Sequence, residues 1–464
     1  MTENSIFPGP VNDTIVALAT PPGLSAIGMI RLSGPAAISM AGGIFGPAEL
    51  ELQPSHTLHY GTLRDGLRIV DEVVVGIYKA PHSYTGEPIA EISGHGSPYI
   101  LEQILQLCLR QGARLAEPGE FTRRAFLNGK LDLAQAEAVA DLIASRSAAA
   151  QRSALHNLRG GFSRKLEALR AQLIQFAALI ELELDFSEED VEFADRSRLY
   201  ALVDSAIGEV QQLIDSFRLG NVVKQGVSVA IVGPPNAGKS TLLNALLNEE
   251  RAIVSETAGT TRDTIEESLN INGVLFRLID TAGIREHTTD TIEQIGMGKS
   301  LEKMRSADLV LYLFDVTGAT PQWMDERRSA LEKENIRYLL IGNKTDLPGG
   351  AEAAGKLAGA GKTLLISAKA QENIRQLKDA LYKAVTGGEI QPEDTILTNT
   401  RHLAALREAL ASLTAVREGL DAHISADLLT PDIRRCLHFL GEITGVVTHE
   451  NVLDYIFSQF CIGK

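Results

Sequence analysis

Cysteine is scarce in this chain. Cys108, Cys436 and Cys461 are the three in 464 residues, far apart and odd in number, which argues against a disulfide framework. Cys108 and Cys436 fall in apolar helical stretches and read as packing residues. Long apolar runs are missing as well: none approaches the roughly 20 residues needed to span a bilayer. Met1-Thr2-Glu3-Asn4-Ser5 lacks the basic-then-apolar order of a signal peptide. The expectation is a cytoplasmic protein. Positive charge is outweighed, 44 Lys and Arg against 59 Asp and Glu, for a formal net charge of −15. With no long basic stripe, nucleic-acid binding by this chain alone is expected to be weak. With no basic amphipathic helix, recruitment to a membrane surface is disfavoured. No internal repeat is evident, and the length suits about three domains.

What is present is a series of phosphate- and base-binding boxes. Gly233-Pro234-Pro235-Asn236-Ala237-Gly238-Lys239-Ser240 is a phosphate-binding loop. The run Val227–Val232 before it is β-branched and apolar, as a buried parallel strand requires. Ser240–Leu247 after it has helical apolar spacing. The loop therefore meets a helix N-terminus, where free N–H groups and the helix dipole attract phosphate. Gly233 and Gly238 allow close backbone approach, Lys239 reaches the β- and γ-phosphates, and the Ser240 hydroxyl ligates Mg²⁺. Then come Gly259-Thr260-Thr261-Arg262-Asp263, Asp280-Thr281-Ala282-Gly283, Asn343-Lys344-Thr345-Asp346 and Ser367-Ala368-Lys369. Thr261 is the second metal-side hydroxyl. Asp280, after the strand Val274–Ile279, holds the metal through water, and the Gly283 N–H senses the γ-phosphate. Asp346 accepts two parallel N–H bonds from guanine but finds one suitable donor on adenine. The order predicts a Ras-like α/β domain that works as a guanine-nucleotide switch.

One position departs from Ras. The residue after Asp280–Gly283 is Ile284, which cannot orient water as a glutamine does. Arg285 reads as a solvated loop charge, so no arginine finger is evident.

Around the switch domain the pattern changes. Residues 1–128 alternate short strands, such as Thr14–Thr20, Ala26–Leu32 and Val73–Lys79, with Gly/Pro turns and a helix near Pro98–Gln111, an α+β pattern. Residues 129–225 are helical, with Leu166, Leu169, Leu173, Phe176 and Ile180 at helical spacing. The switch domain occupies 226–385, with Pro348–Lys362 a loop or short helix, and 386–464 is helical again. Helices on both sides predict an α/β domain inserted into an all-α domain, with linkers near 220–226 and Gly387–Glu393.

The whole chain resembles the MnmE (TrmE) family of bacterial tRNA-modifying GTPases. The resemblance rests on the boxes above, Tyr84-Thr85-Gly86-Glu87, Gly94-His95-Gly96, Asn128–Ala138 and the tail Cys461-Ile462-Gly463-Lys464. It implies that GTP is lined by Asn236, Ala237, Gly238, Lys239, Ser240 and Thr241. The same holds for Ser255, Glu256, Thr257, Ala258, Gly259, Thr260 and Thr261, then Asp280, Thr281, Ala282 and Gly283, and finally Asn343, Lys344, Asp346, Ser367, Ala368 and Lys369. It implies Mg²⁺ on Ser240 and Thr261. In place of an arginine finger it implies K⁺ on Asn236, Ser255, Thr257 and Thr260, with hydrolysis faster in K⁺ than in Na⁺. Glu293, aligned through Glu293-Gln294-Ile295-Gly296, orients the water.

Taken alone, Arg31, Glu87 and Lys130 read as surface charges. The resemblance makes them, with Lys464, ligands of 5-formyl- or 5,10-methylene-tetrahydrofolate in a folate-binding-like, dimerising N-terminal domain. It makes Cys461 a candidate reactive thiol. The last residues of a chain usually fray, but the apolar helix Asn451–Phe457 can pin this tail. The implied activity adds a carboxymethylaminomethyl or aminomethyl group to C5 of the wobble uridine of certain tRNAs. The implied assembly is a homodimer and, with the flavin-dependent protein MnmG, a heterotetramer. A regulatory GTPase without chemistry of its own is the rival, and folate binding separates the two.

Overall fold

A computed structural model describes residues 13–46, 49–185, 196–247, 267–279, 301–302, 304–357, 363–388, 395–448 and 450–464. These fall into two compact units. One comprises Met1–Ala140, Asn157–Val203 and Ala411–Lys464, the other Asp141–His156 and Asp204–Leu410. No described helix is long and apolar enough to cross a membrane.

The first unit opens on a seven-stranded sheet of β1 (Ile15–Leu18), β2 (Ile27–Ser33), β3 (Phe45–Gly46), β4 (Thr57–Asp65), β5 (Arg68–Tyr78), β6 (Ile89–His95) and β7 (Arg114–Leu115). Its spatial order is β3-β4-β5-β6-β2-β1-β7. All neighbours are antiparallel except β1 and β7. Two helices, α1 (Ala37–Ile44) and α2 (Pro98–Arg110), cover one face. Ile104, Leu107 and Cys108 of α2 join Ile30, Leu32, Val75 and Ile92 in the core. This is the expected α+β domain; β5 begins five residues before the expected Val73, because the β4–β5 turn at Gly66 extends both strands.

The helices α3 (Glu120–Leu127) and α4 (Leu133–Ala144) follow. Asp132 and Gln135 cap α4 reciprocally: the Gln135 N–H donates to Asp132 Oδ1 at 2.8 Å, and the Asp132 N–H donates to Gln135 Oε1 at 2.9 Å. That capping box explains the sequence Asp132-Leu133-Ala134-Gln135 physically, and such caps are worth about 1 kcal/mol. After α5 (Ala148–Leu158), α6 (Gly161–Asp185) buries Leu166, Leu169, Leu173, Phe176 and Ile180 as its spacing requires.

The helix α7 (Arg196–Gln225) leads to the second sheet. The linker expected at 220–226 is instead the end of this helix. Gly220 is there for close packing: a Cβ on it would lie 1.8 Å from the Leu397 carbonyl oxygen. The chain leaves the helix only at Gly226, with φ +76°.

Six strands follow: β8 (Val227–Val232), β9 (Glu267–Ile271), β10 (Val274–Ile279), β11 (Leu309–Asp315), β12 (Tyr338–Asn343) and β13 (Thr363–Leu365). Their order is β13-β12-β11-β8-β10-β9. Only β9 and β10 pair antiparallel. A parallel sheet is covered on both faces, hence the near-continuous apolar runs in β8 and β11. The described helices of this region include α8 (Lys239–Leu247), α9 (Pro321–Lys333), α10 (Gly350–Leu357) and α11 (Ile374–Thr386). Within the Pro348–Lys362 segment, Gly350–Leu357 is helical, and residues 358–362 lie outside the described residues. The C-terminal helices are α12 (Thr400–Asp421), α13 (Ala426–Thr444) and α14 (Glu450–Ser458).

Candidate functional site

In the second unit, the carboxyl ends of β8 and β12 bring the phosphate loop and the Asn343–Asp346 box together with Ser367–Lys369, where ligands of open α/β sheets bind. Gly233 leaves β8 at φ +151°, and a Cβ there would lie 2.0 Å from the Leu313 carbonyl oxygen of β11. Only glycine lets the loop pass. Asn236 takes φ +60° at the loop tip. The α8 N-terminus begins at Lys239, whose Nζ donates to the Gly233 and Pro234 carbonyl oxygens at 2.9 Å each. Burial pushes this ammonium below its ordinary pKa. Ser240 and Thr241 stand in the first turn of α8, the latter exposed.

Asn343 is the buried tie of the constellation. Its Nδ2 donates to the Ala237 carbonyl at 2.8 Å and its Oδ1 accepts from the Ala368 N–H at 2.9 Å. One amide thus joins the phosphate loop, the Asn343–Asp346 box and the Ser367–Lys369 box. Asp346 is exposed, and its Oδ1 accepts from Ser367 Oγ at 2.6 Å. Lys369 is exposed too. Ser255, Glu256, Thr257, Ala258, Gly259, Thr260, Thr261, Asp280, Thr281, Ala282, Gly283 and Glu293 lie outside the described residues.

In the first unit, the tail lies against the N-terminal sheet. Phe457 and Phe460 are buried in a cluster with Phe126 and Leu133. A Cβ on Gly463 would lie 2.4 Å from the Leu18 carbonyl oxygen. Arg31 Nη1 donates to the Gly463 carbonyl at 3.2 Å, while its Nε and Nη2 each reach Glu91 Oε1 at 2.8 Å. The Tyr84 ring carries two cations, the Arg31 guanidinium 5.9 Å and the Lys464 ammonium 5.8 Å from its centroid. Burial first, then the Arg31 charge, push Lys464 below its ordinary pKa.

Glu87 Oε2 accepts from Ser33 Oγ at 2.8 Å, two residues along β2 from Arg31. Lys130 stands at the rim, its stem beside Gly86 and its Nζ donating to the Pro81 carbonyl at 3.2 Å. Cys461 is exposed, and its carbonyl accepts from the Gly119 N–H at 3.4 Å. Cys108 and Cys436 are buried, and burial pushes each thiol up to about 12.

Behind Glu87 sits Arg124, 3% exposed, ion-paired to Glu87 at 3.2 Å, Asp13 at 2.6 Å and Glu120 at 3.0 Å. Burial works against this cation, but Glu87, Glu120 and Asp13 outweigh it and hold its pKa above the ordinary value. Arg124→Met should cost about 3–5 kcal/mol, because it strands buried carboxylates. Thermal denaturation of the variant checks this.

A family model described as the MnmE helical domain matches residues 133–461. Another, the GTP-binding protein TrmE N-terminus, matches residues 14–130. Proteins named tRNA modification GTPase MnmE are similar end to end. That of Christiangramia forsetii is 51% identical over 98% of this chain and 100% of its own length. That of Cytophaga hutchinsonii is 51% identical over 97% of this chain and 98% of its own. That of Bacteroides thetaiotaomicron is 49% identical over 97% and 99%. The chain belongs to the MnmE family of tRNA modification GTPases. Its fold is that family's multidomain arrangement, and it is a GTP hydrolase.

Three residues of this MnmE-family chain escaped the sequence reading. Glu91 pairs with Arg31 because β2 and β6 place them opposite each other, a register no local pattern announces. Arg124 meets Asp13 and Glu87 across 111 and 37 residues of chain. Asp315 ends β11 and pairs with Lys344 at 2.8 Å; its one local signal is the hydrophobic strand it terminates.

Proposed function

We propose that this chain couples GTP hydrolysis to modification of C5 of the wobble uridine in certain tRNAs. The one-carbon unit would come from a tetrahydrofolate held by the first unit, and the work would be shared with MnmG in a heterotetramer built on a homodimer. The observation that carries the reading is the cluster at the tail, where Arg31, Tyr84 and Lys464 meet and Glu87 is anchored on Ser33 of the same strand as Arg31. A switch without chemistry of its own has no use for it.

The residues suit a folate. Tyr84 offers an aromatic face, Arg31, Lys130 and Lys464 are cations suited to glutamate carboxylates, and Glu87 is a carboxylate suited to pterin N–H donors. When bound, the folate would supply the carbon; Arg124 and Ser33 hold Glu87 in place. In the working division, residues 1–128 bring Arg31, Tyr84 and Glu87 to this site, 226–385 form the GTPase, and 129–225 with 386–464 form the helical domain and add Lys130 and Lys464.

At the nucleotide, Lys239 moves from loop carbonyls to phosphate oxygens, a short reach on a flexible stem. Gly233 and Gly238 let the loop keep its course, because a Cβ at the first would collide with the Leu313 carbonyl oxygen and at the second with Asn343 Nδ2. Ser240, with Thr261, would hold Mg²⁺, which neutralises phosphate charge. Asn236, at the exposed loop tip, offers a hard amide oxygen suited to K⁺; with Ser255, Thr257 and Thr260 it would hold the ion that supplies an arginine finger's charge. Glu293 would orient water. Hydrolysis then times the partner's reaction by opening and closing the GTPase domains rather than by acting on carbon. A net charge of −15 leaves most phosphate contact with tRNA to the partner.

Deleting the gene and measuring tRNA nucleosides by mass spectrometry tests this. Loss of C5 aminomethyl-type uridines, restored by the intact chain and not by Lys239→Ala, is the expected result. Unchanged nucleosides would hand the lead to a regulatory GTPase.

A further inference from the structure

We infer that Asp315 is a positioning residue for the guanine pocket: it holds Lys344 through an ion pair and thereby sets how long a guanine nucleotide stays bound. The inference rests on the reading of Asn343–Asp346 as the base-recognition box. Asp315 lies opposite Asn343 in the β11–β12 register, and the Val316 N–H donates to the Asn343 carbonyl at 3.1 Å. The two strand ends are therefore tied to each other immediately before the box begins.

The carboxylate is fixed from both sides. Oδ1 accepts from the Thr317 N–H at 2.9 Å and Thr317 Oγ1 at 2.7 Å, which turns Oδ2 toward Lys344 Nζ at 2.8 Å. Burial pushes Asp315 up, but Lys344 and Thr317 outweigh it and hold the carboxyl below its ordinary range. It is ionised at neutral pH.

Within the box the Asn343 and Asp346 side chains have their own anchors. Asn343 is held by Ala237 and Ala368, and Asp346 by Ser367. Lys344 sits between them at φ +69°, a backbone region that residues with a Cβ avoid. Its side chain is tethered to Asp315. Loss of the tether frees the lysine stem and relaxes the strained backbone that presents Asp346. The nucleotide should then leave faster, while the edge that reads guanine stays the same.

The test uses the full chain and a fluorescent N-methylanthraniloyl-GDP probe in stopped flow. Asp315→Asn should raise the dissociation rate about fivefold, the scale of a partly exposed ion pair. KM for GTP should rise by more than kcat falls. Lys344→Met should reproduce the effect, and the double variant should add little to either, since both remove one contact. Thr317→Val, which only loosens the carboxylate, should give a smaller rise in the same direction. An unchanged rate in a folded Asp315→Asn, or additive effects in the double variant, would overturn the inference. Should Asp315→Asn not fold, an unchanged rate in Thr317→Val overturns it instead. Asp346→Asn separates the two levels. If that variant keeps its preference for guanine, the base-box reading fails and this inference with it. If it turns to xanthine while Asp315→Asn stays neutral, only the inference fails.

Discussion

Asp346→Asn should turn a GTP-preferring pocket into one that prefers xanthosine triphosphate. Guanine offers two N–H donors to a carboxylate. An asparagine amide offers one acceptor and one donor, which matches the N–H and C=O of xanthine's edge. Each mismatched contact costs roughly 1–3 kcal/mol, so relative preference should swing on the order of 100-fold. The scaffold should survive. Ser367 Oγ now donates to Asp346 Oδ1 at 2.6 Å, and an amide oxygen can accept the same bond. Competition of GTP with xanthosine triphosphate, with melting temperature as the control, reads the result. Unchanged preference for GTP would defeat the base-box assignment.

Gly238→Ala should weaken nucleotide binding sharply. Gly238 has φ +96°, where a Cβ is strained, and that Cβ would lie 2.3 Å from Asn343 Nδ2. Asn343 cannot step aside cheaply. It is 2% exposed, and its amide holds both Ala237 and Ala368. Backbone strain of about 1–2 kcal/mol adds to two hydrogen bonds worth about 1 kcal/mol each. Nucleotide affinity should fall on the order of 100-fold, with a lower melting temperature. Equilibrium binding of labelled GDP checks it, and wild-type affinity would mean that Asn343 does not couple the two loops.

The boxes were legible because each is a short contiguous segment whose chemistry is local. A glycine that lets the backbone turn, a lysine at a helix N-terminus and a capping pair such as Asp132 and Gln135 act within a few residues. Helices with strong periodicity were equally plain: the buried stripe of α6 follows Leu166, Leu169, Leu173, Phe176 and Ile180. Gly220 misled for the same local reason. Glycine near a polar residue signals a linker, yet here it serves helix packing against Leu397, a contact 177 positions away in sequence by subtraction of the two residue numbers.

By itself, the sequence determined the multidomain fold class, the strands before the phosphate loop and the Asn343–Asp346 box, and the nucleotide class, since these follow from periodicity, turn chemistry and the donor pattern of one carboxylate. Only the tertiary structure decided that Arg31 faces Glu91, that Arg124 backs Glu87, that the tail delivers Lys464 to Tyr84, and that Asp315 holds Lys344. These pairs depend on strand register, on a helix packing beside a loop 37 residues earlier in the chain, or on the tail meeting the N-terminal sheet. A single-residue slip in register reverses which face a side chain occupies, so no local pattern encodes such pairs. They form when the core of each unit closes and leaves those charges one place to go.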